Sequence, residues 1–301
     1  MEIRTLRYFL AVAREGNMTR AAGGLHVTQP TLSKALRALE DELGKRLFTR
    51  HSFSISLTEE GALLRDRAED LLLMVDKIEQ EFLSLDEVTG GDLYLGLAES
   101  YQIRYLAREI KRLKDRYPDL RYHITSGDTE QVTERLDKGL LDFAVLCGLP
   151  NERKYEHLLF PEADYFGLVM RKDDCLAGRE GIRVGDLVGL PLFCSKQSWE
   201  GDIRPWAKER FGELRLEGSF RLAYNGSVFV KEGLGYLLAL DGLVDTSSES
   251  GLVFRPLSPA LEVPLCLAWG RRQTLTPIAK RFLDQLRAVF AVCGREDHFA
   301  P

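Results

Sequence analysis

Gln29, Thr31, Ser33, Lys34 and Arg37 crowd one short stretch, QPTLSKALR, with Pro30 among them. These are side chains that read base edges and phosphates. An amide suits adenine, Arg and Lys suit guanine, and a hydroxyl suits either. Three acids, Glu40, Asp41 and Glu42, are held back to the far end, away from the helix start that would enter a groove. Recognition of a nucleic acid is the chemistry on offer, and Arg50 supplies one more cation nearby.

Catalysis finds no such constellation. The chain has no GxSxG, HExxH or GxxxxGK, and GLGYLL lacks the third glycine of a dinucleotide fingerprint. The five histidines do not cluster. The five cysteines, Cys147, Cys175, Cys194, Cys266 and Cys293, are scattered and show no CxxC spacing. Neither a zinc site nor a disulfide framework is expected, and the thiols read as reduced. A redox-sensing cysteine pair stays open as an alternative, because proximity in space is not legible in sequence. No catalytic residue, cofactor or metal ligand is assigned, and an α/β enzyme is the reading set aside.

Charge points the same way. Residues 1 to 58 carry nine Lys or Arg against five acids, a net of +4, which leaves −9 for the remainder of a chain whose formal charge is −5. A basic head on an acidic body implies a polyanion partner for the head alone. The length of 301 residues fits about two domains. No apolar run approaches the roughly 18 residues of a membrane span. The start, MEIRTLRYFLAVAREG, is an amphipathic helix and not a signal peptide, so a cytoplasmic location is expected.

Several elements must position the reading face. Leu6, Phe9, Leu10 and Ala13 mark one face of a first helix, which Gly16 stops. Thr19 is expected to cap a second short helix, RAAGGL, whose Ala21 and Ala22 allow a close crossing. After the turn HVT, Thr28 caps a third helix with Pro30 in its first turn. Leu32, Ala35, Leu36, Leu39 and Leu43 form its buried stripe, and Gln29, Thr31, Ser33, Lys34 and Arg37 point elsewhere. LFTRHSFSISLT then reads as a two-stranded wing.

Met18 to Gly44, continued by RLFTR and LTEEG, resembles the winged helix-turn-helix of LysR-type transcriptional regulators. Two departures stand out. Gly23 and Gly24 replace better helix formers, which should soften the second helix. The wing reads HSFS, so that only Arg50 and His51 supply charge there.

Thr58 caps a long helix in which Leu64, Ala68, Leu71, Val75, Ile78, Phe82 and Leu85 keep strict a/d heptad spacing. An exposed seam of this length calls for an identical partner helix, so a homodimer is expected. A tetramer is what the family resemblance implies. DEVTGGD ends the helix as a hinge.

From Asp92 strands and helices alternate, which implies a parallel sheet. DYFGLVMRK, PLFCSK and FRLAYN read as further strands, WAKERFG as a helix, and GSVFVKEGLGYLLAL as helix, glycine turn and strand. The order of pieces is similar to the family's effector domain, a two-lobed α/β fold like type II periplasmic binding proteins. The resemblance implies crossovers near Phe160–Ala163 and Val263–Leu267. The expected architecture is therefore multidomain α/β. Residues 1–58 form the winged helix-turn-helix, 59–89 the linker helix and hinge, and 90–301 the effector domain, with lobe I at 90–161 and 267–301 and lobe II at 162–266.

In such a sheet a ligand sits beyond the carboxyl ends of the strands, between the lobes. That places Ser100, Tyr101, Gln102, Gly127, Thr129, Cys147, Lys196, Trp199 and Asn225 at the cleft as candidate effector contacts. Bland readings accompany them. Ser100 and Thr129 begin helices and serve equally well as caps, Lys196 as a solvated side chain, and Asn225-Gly226 as a turn. A helix start at Ser100 has free N–H groups that suit a carboxylate, with Lys196 opposite. Glu99 and Asp128 argue for a neutral or cationic ligand. The family's use of organic acids tips the expectation to a small organic anion. The partners expected are thus double-stranded DNA, a small-molecule effector and a second copy of the chain.

Overall fold

The computed structural model describes residues 1–51, 54–84 and 89–296. Ser52 and Phe53 of the wing, Leu85 of the seam, Asp86–Val88 of the hinge and the side chains of Arg50 and Cys293 lie outside what is described. The chain divides into two compact units, Met1–Leu83 and Ser84–Pro301, so the long helix clusters with the head.

In the first unit α1 (Ile3–Glu15) buries Leu6, Tyr8, Phe9 and Val12, and Gly16 ends it in the left-handed conformation at φ 58°. The second helix, α2 (Met18–Gly24), is capped by Asn17 and not by Thr19. The Asn17 side chain accepts from the N–H groups of Thr19 and Arg20. An Asx side chain one position before the first helical residue reaches both donors, whereas Thr19 already lies inside the helix. The third helix, α3 (Gln29–Leu43), starts at Thr28, whose hydroxyl accepts from the Thr31 N–H. The wing pairs β1 (Phe48–Arg50) with β2 (Ile55–Leu57) antiparallel, Phe48 opposite Leu57. The Ile55 N–H donates to the Gly16 carbonyl, which ties the wing to the end of α1. Thr58 caps α4 (Glu59–Ser84), accepting from the Gly61 N–H at 2.9 Å.

The second unit holds two sheets. The first runs β4-β3-β5-β13-β6. It comprises β3 (Gly90–Leu97), β4 (Asp119–Ser126), β5 (Phe143–Cys147), β6 (Tyr155–Leu159) and β13 (Leu265–Gly270), and is flanked by α5 (Arg104–Arg116), α6 (Thr129–Asp137) and α11 (Pro277–Glu296). The second runs β11-β7-β10-β8-β9, with β12 (Glu262–Val263) beside β7 (Asp164–Arg171). Its other strands are β8 (Pro191–Cys194), β9 (Arg215–Ser219), β10 (Tyr236–Leu240) and β11 (Leu252–Pro256). Four short helices complete this lobe: α7 (Val184–Leu187), α8 (Lys196–Ser198), α9 (Arg204–Ala207) and α10 (Ala223–Lys231).

Neither sheet is purely parallel, as the βα alternation had implied. β13 lies antiparallel to both β5 and β6, and β7 antiparallel to β10 and β11. β13 is the strand by which the chain returns from the second sheet to the first. The return falls at Pro264, so Leu265 and Cys266 belong to the first sheet, two residues earlier than the expected lobe boundary.

FRLAYN is not a strand. The strand lies earlier, in β9, and Ala223 opens α10. The cause is tertiary: the Glu99 carboxylate of the first lobe accepts the Ala223 N–H at 2.8 Å, a cap supplied from 124 residues away. WAKERFG is helical only through Ala207 and then tightens into a 3-10 turn, Lys208–Glu213.

Candidate functional site

The residues singled out above fall into two places, one in each unit. On α3, Gln29, Pro30, Thr31, Lys34 and Arg37 are exposed. Among the described residues, neither Lys34 nor Arg37 has an ion-pair partner, so both charges are available to phosphate or guanine. Ser33 departs from the expectation. It is 8% exposed, because it lies three and seven residues before Leu36 and Glu40 on the inward stripe. Its side chain packs inward, with little surface on the exposed face.

Glu40 has a role that its place among the trailing acids did not reveal. Its carboxylate is buried and accepts the Leu47 N–H at 2.8 Å, the Phe48 N–H at 3.3 Å and the Arg46 guanidinium at 2.9 Å. Burial works to raise its pKa, but those three hydrogen bonds prevail and hold the group below the ordinary glutamate range. The recognition helix is thereby clamped to the start of the wing. His51 is tied within the wing, its Nε2 lying 3.1 Å from the Ser56 hydroxyl.

The a/d seam of α4 divides in two. Leu64 is half-buried against the head core and Ala68 is buried. Farther along, Leu71, Ile78 and Phe82 are 38%, 45% and 70% exposed, with Val75 half-buried between them. An apolar stripe this exposed on a single helix is a surface awaiting a partner.

In the second unit the two lobes meet around the Ser100 turn. Ser100 is a cap, as its bland reading allowed: its hydroxyl accepts the Gln102 N–H at 2.9 Å, which removes one of the donors thought free for an anion. Gln102 is buried and its Nε2 donates to the Ala163 carbonyl of the crossover at 3.4 Å. Tyr101 is exposed beneath the Arg104 guanidinium, 4.6 Å from ring centre, and packs against Gly242 of the other lobe.

Thr129 is the first residue of α6, and Asp128 is the cap. Thr129 instead bridges the lobes: Gln197 Nε2 donates to its hydroxyl at 2.9 Å, and its N–H donates to Gln197 Oε1 at 3.1 Å. Gly127 packs under Gln131, where an added Cβ would come within 3.1 Å. Glu99 and Asp128, the acids weighed against an anion, both serve as helix caps, and Asp128 lies 4.0 Å from Arg221 across the lobes.

Four cleft candidates fare otherwise. Trp199 is buried in the second-lobe core, 5.0 Å from the Phe211 ring, and holds packing rather than a ligand. Lys196 is exposed at the start of α8, and Asn225 is exposed within α10 and not in a turn. Cys147 is half-buried at the end of β5, its pKa pushed up to about 12 by burial first and then by Asp164 and Asp202.

Asp164 escaped the sequence reading altogether. It opens β7, is fully buried, and neither carboxylate oxygen has a hydrogen-bond partner. Burial raises its pKa to about 6 and Asp241 adds to the rise, whereas the proximity of Ser100 and Gln102 and the charge of Arg104 oppose it. Ser100 and Gln102 lie close without reaching hydrogen-bond geometry. Each unsatisfied buried acceptor costs about 1–3 kcal/mol, more if charged. The one local signal was an Asp opening an otherwise apolar strand. Asp202, also raised chiefly by burial, adds a second acid on the second-lobe side. Among the described residues no group of three His, Cys, Asp or Glu is placed to hold a metal, and no helix is long and apolar enough to cross a membrane.

Comparison with known proteins bears on both units. Residues 3–62 match the bacterial regulatory helix-turn-helix proteins of the lysR family, and residues 86–291 match the LysR substrate binding domain. The hydrogen peroxide-inducible genes activator of Pectobacterium carotovorum subsp. carotovorum is 34% identical over 194 residues, 64% of this chain and 64% of that one. The chain thus spans less than two thirds of that relative's length. The Hca operon transcriptional activator HcaR of Escherichia coli (strain K12) is 29% identical over 94% of this chain and 96% of its own. Among solved structures, full-length CbnR complexed with its target DNA aligns with a TM-score of 0.73 at 22% identity, over 96% of this chain and 99% of that one. Such identity speaks for the fold. On these two domain matches, which together take in most of the chain, it belongs to the LysR family of bacterial helix-turn-helix regulators.

Proposed function

We propose that the chain is a sequence-specific DNA-binding transcriptional regulator whose hold on its operator responds to a small molecule in the cleft of the second unit. The observation that carries the reading is the exposed start of α3. There Gln29, Thr31, Lys34 and Arg37 stand clear on a helix capped by Thr28 and braced by Glu40. The chain is read as a regulator and not as an enzyme, in keeping with its family. CbnR, of the same fold, has been seen on its target DNA, and HcaR is a transcriptional activator.

Two copies joined through the exposed half of the α4 seam would present two α3 helices to two half-sites, the usual basis of operator symmetry. Assembly into a tetramer is the further step that the family resemblance implies. A ligand changes the equilibrium only by its differential affinity for two lobe arrangements, and the ties Thr129–Gln197 and Glu99–Ala223 are the contacts that must differ between them.

The names of the peroxide-inducible relatives invite a thiol-based alternative. Three of the thiols oppose it, while Cys175 is exposed. The nucleophile in such chemistry is the thiolate, yet Cys147 and Cys266 are pushed up to about 12 by burial, and burial raises Cys194 as well.

The test is binding of the full chain to duplexes selected from a random pool. Arg37→Ala should lose about 1–3 kcal/mol on the selected duplex and little on random DNA if Arg37 reads a base. Equal binding of variant and wild type to the selected duplex would reject the assignment.

A further inference from the structure

Three buried acceptor atoms lie together where the Ser100 turn of the first lobe meets the first strand of the second. They are both carboxylate oxygens of Asp164 and the Oε1 of Gln102. Asp164 is 0% exposed and Gln102 3%, and none of the three atoms has a partner in hydrogen-bond geometry, the Ser100 hydroxyl and the Gln102 amide being the nearest groups to the carboxylate. The Gln102 amide is oriented by its Nε2 bond to the Ala163 carbonyl, which leaves Oε1 as its open end. Orphaned buried acceptors are uncommon in folded proteins, and a cluster of them marks a place that something else completes.

The surrounding charge says what kind of group completes it. An ionised carboxylate only accepts hydrogen bonds, so a ligand carboxylate here would bring further acceptors to a site where three acceptors are already unsatisfied. Asp241, which accepts the Tyr165 N–H at 2.7 Å, adds negative charge beside Asp164, and Asp202 joins Asp164 in acting on Cys147. Arg104, the cation that acts on Asp164, is already paired with Glu162.

We propose that the cleft takes a ligand bearing a cationic nitrogen donor, an ammonium or amidinium group, seated on the Asp164 carboxylate and Gln102 Oε1. This rests on the cleft reading given under the proposed function and replaces the organic anion expected from the family resemblance. Because Asp164 is fully enclosed, the ligand reaches it only when the lobes part and the Thr129–Gln197 and Glu99–Ala223 ties release. The donor then favours the arrangement in which it fits, and the recognition of a cation becomes a change in lobe geometry.

The experiment is thermal shift of the full chain with two matched pairs of probes, 1,4-diaminobutane with succinate and benzamidine with benzoate, followed by calorimetry of whichever probe stabilises. The expected result is stabilisation by a nitrogen probe, at least a tenfold loss of affinity in Asp164→Asn, and none in Lys196→Met. Wild-type affinity should also fall as pH drops through about 6, where Asp164 takes up a proton, while Asp164→Asn stays flat. Without ligand, Asp164→Asn should melt at or above wild type, because it removes an unpaired buried charge. Stabilisation by the carboxylates alone, retained in Asp164→Asn, overturns this inference and leaves the cleft reading standing. An Asp164→Asn chain that melts well below wild type overturns it too, since the carboxylate would then be holding the fold. Stabilisation by neither series overturns both readings.

Discussion

Removing the Glu40 carboxylate should loosen the wing and weaken DNA binding although Glu40 faces no groove. In Glu40→Ala the Leu47 N–H, a buried donor now bonded at 2.8 Å, is left without a partner. An orphaned buried donor costs about 1–3 kcal/mol. The Phe48 N–H is half-buried and its bond is longer, at 3.3 Å, so it adds less than about 1 kcal/mol. Arg46 is 76% exposed, and its ion pair with Glu40 contributes only about 0–1 kcal/mol. Together these give a local loss of roughly 1–5 kcal/mol. Hydrogen exchange across residues 46–58 of the full chain should then speed up roughly 5- to 4,000-fold, at about 1.4 kcal/mol per decade. The sign with pH follows from the lowered pKa. The stabilisation is complete above the ordinary glutamate range and is lost as pH falls through the depressed folded value, so wild type and variant converge in acid. Unchanged wing exchange at neutral pH would refute the clamp.

Three further outcomes follow from the packing. Leu71→Glu with Ile78→Glu places charge on the exposed half of the α4 seam and should halve the mass seen by light scattering, while thermal unfolding of each chain changes little. Gly61→Ala would set a Cβ 2.1 Å from the Leu47 carbonyl oxygen, so a loss of about 1–3 kcal/mol by overpacking should outweigh the helix propensity that Ala gains. A urea midpoint at or above wild type would contradict it. Glu99→Ala removes the cap on α10 and should cost about 1 kcal/mol, read as faster amide exchange at the start of that helix and nowhere else in the second lobe.

The head was legible almost residue by residue because its signals are local. Gly16, Thr28 and Thr58 act through hydrogen bonds or backbone conformations within a few positions of themselves, and the spacing of Leu32, Leu36 and Leu39 gives the buried face of α3 directly. Ser33 was misplaced because a small polar residue at the edge of that stripe carries no hydrophobic signal to say which way it faces. The cleft was harder for a different reason. Its decisive contacts join distant positions: Glu99 to Ala223, Gln197 to Thr129, Gln102 to Ala163. Strand ends identified the Ser100 and Thr129 turns, but nothing nearby in sequence distinguishes Gln197, which bridges, from Lys196, which is exposed, or Trp199, which is core. Asp164 is informative only once its burial and lack of partners are seen together.

The central claim, that the exposed start of α3 makes this chain a reader of DNA sequence, is tested most directly by its affinity for a selected duplex and for random duplex across a salt series. The account predicts that log K falls linearly with log salt on both, by about 0.9 per phosphate contacted, as Lys and Arg displace condensed counterions. It also predicts that the selected duplex is held at least about a thousandfold more tightly throughout, the margin that base contacts add to phosphate contacts. Equal affinity for the two duplexes at every salt concentration would contradict it, because phosphate attraction alone would then account for all the binding.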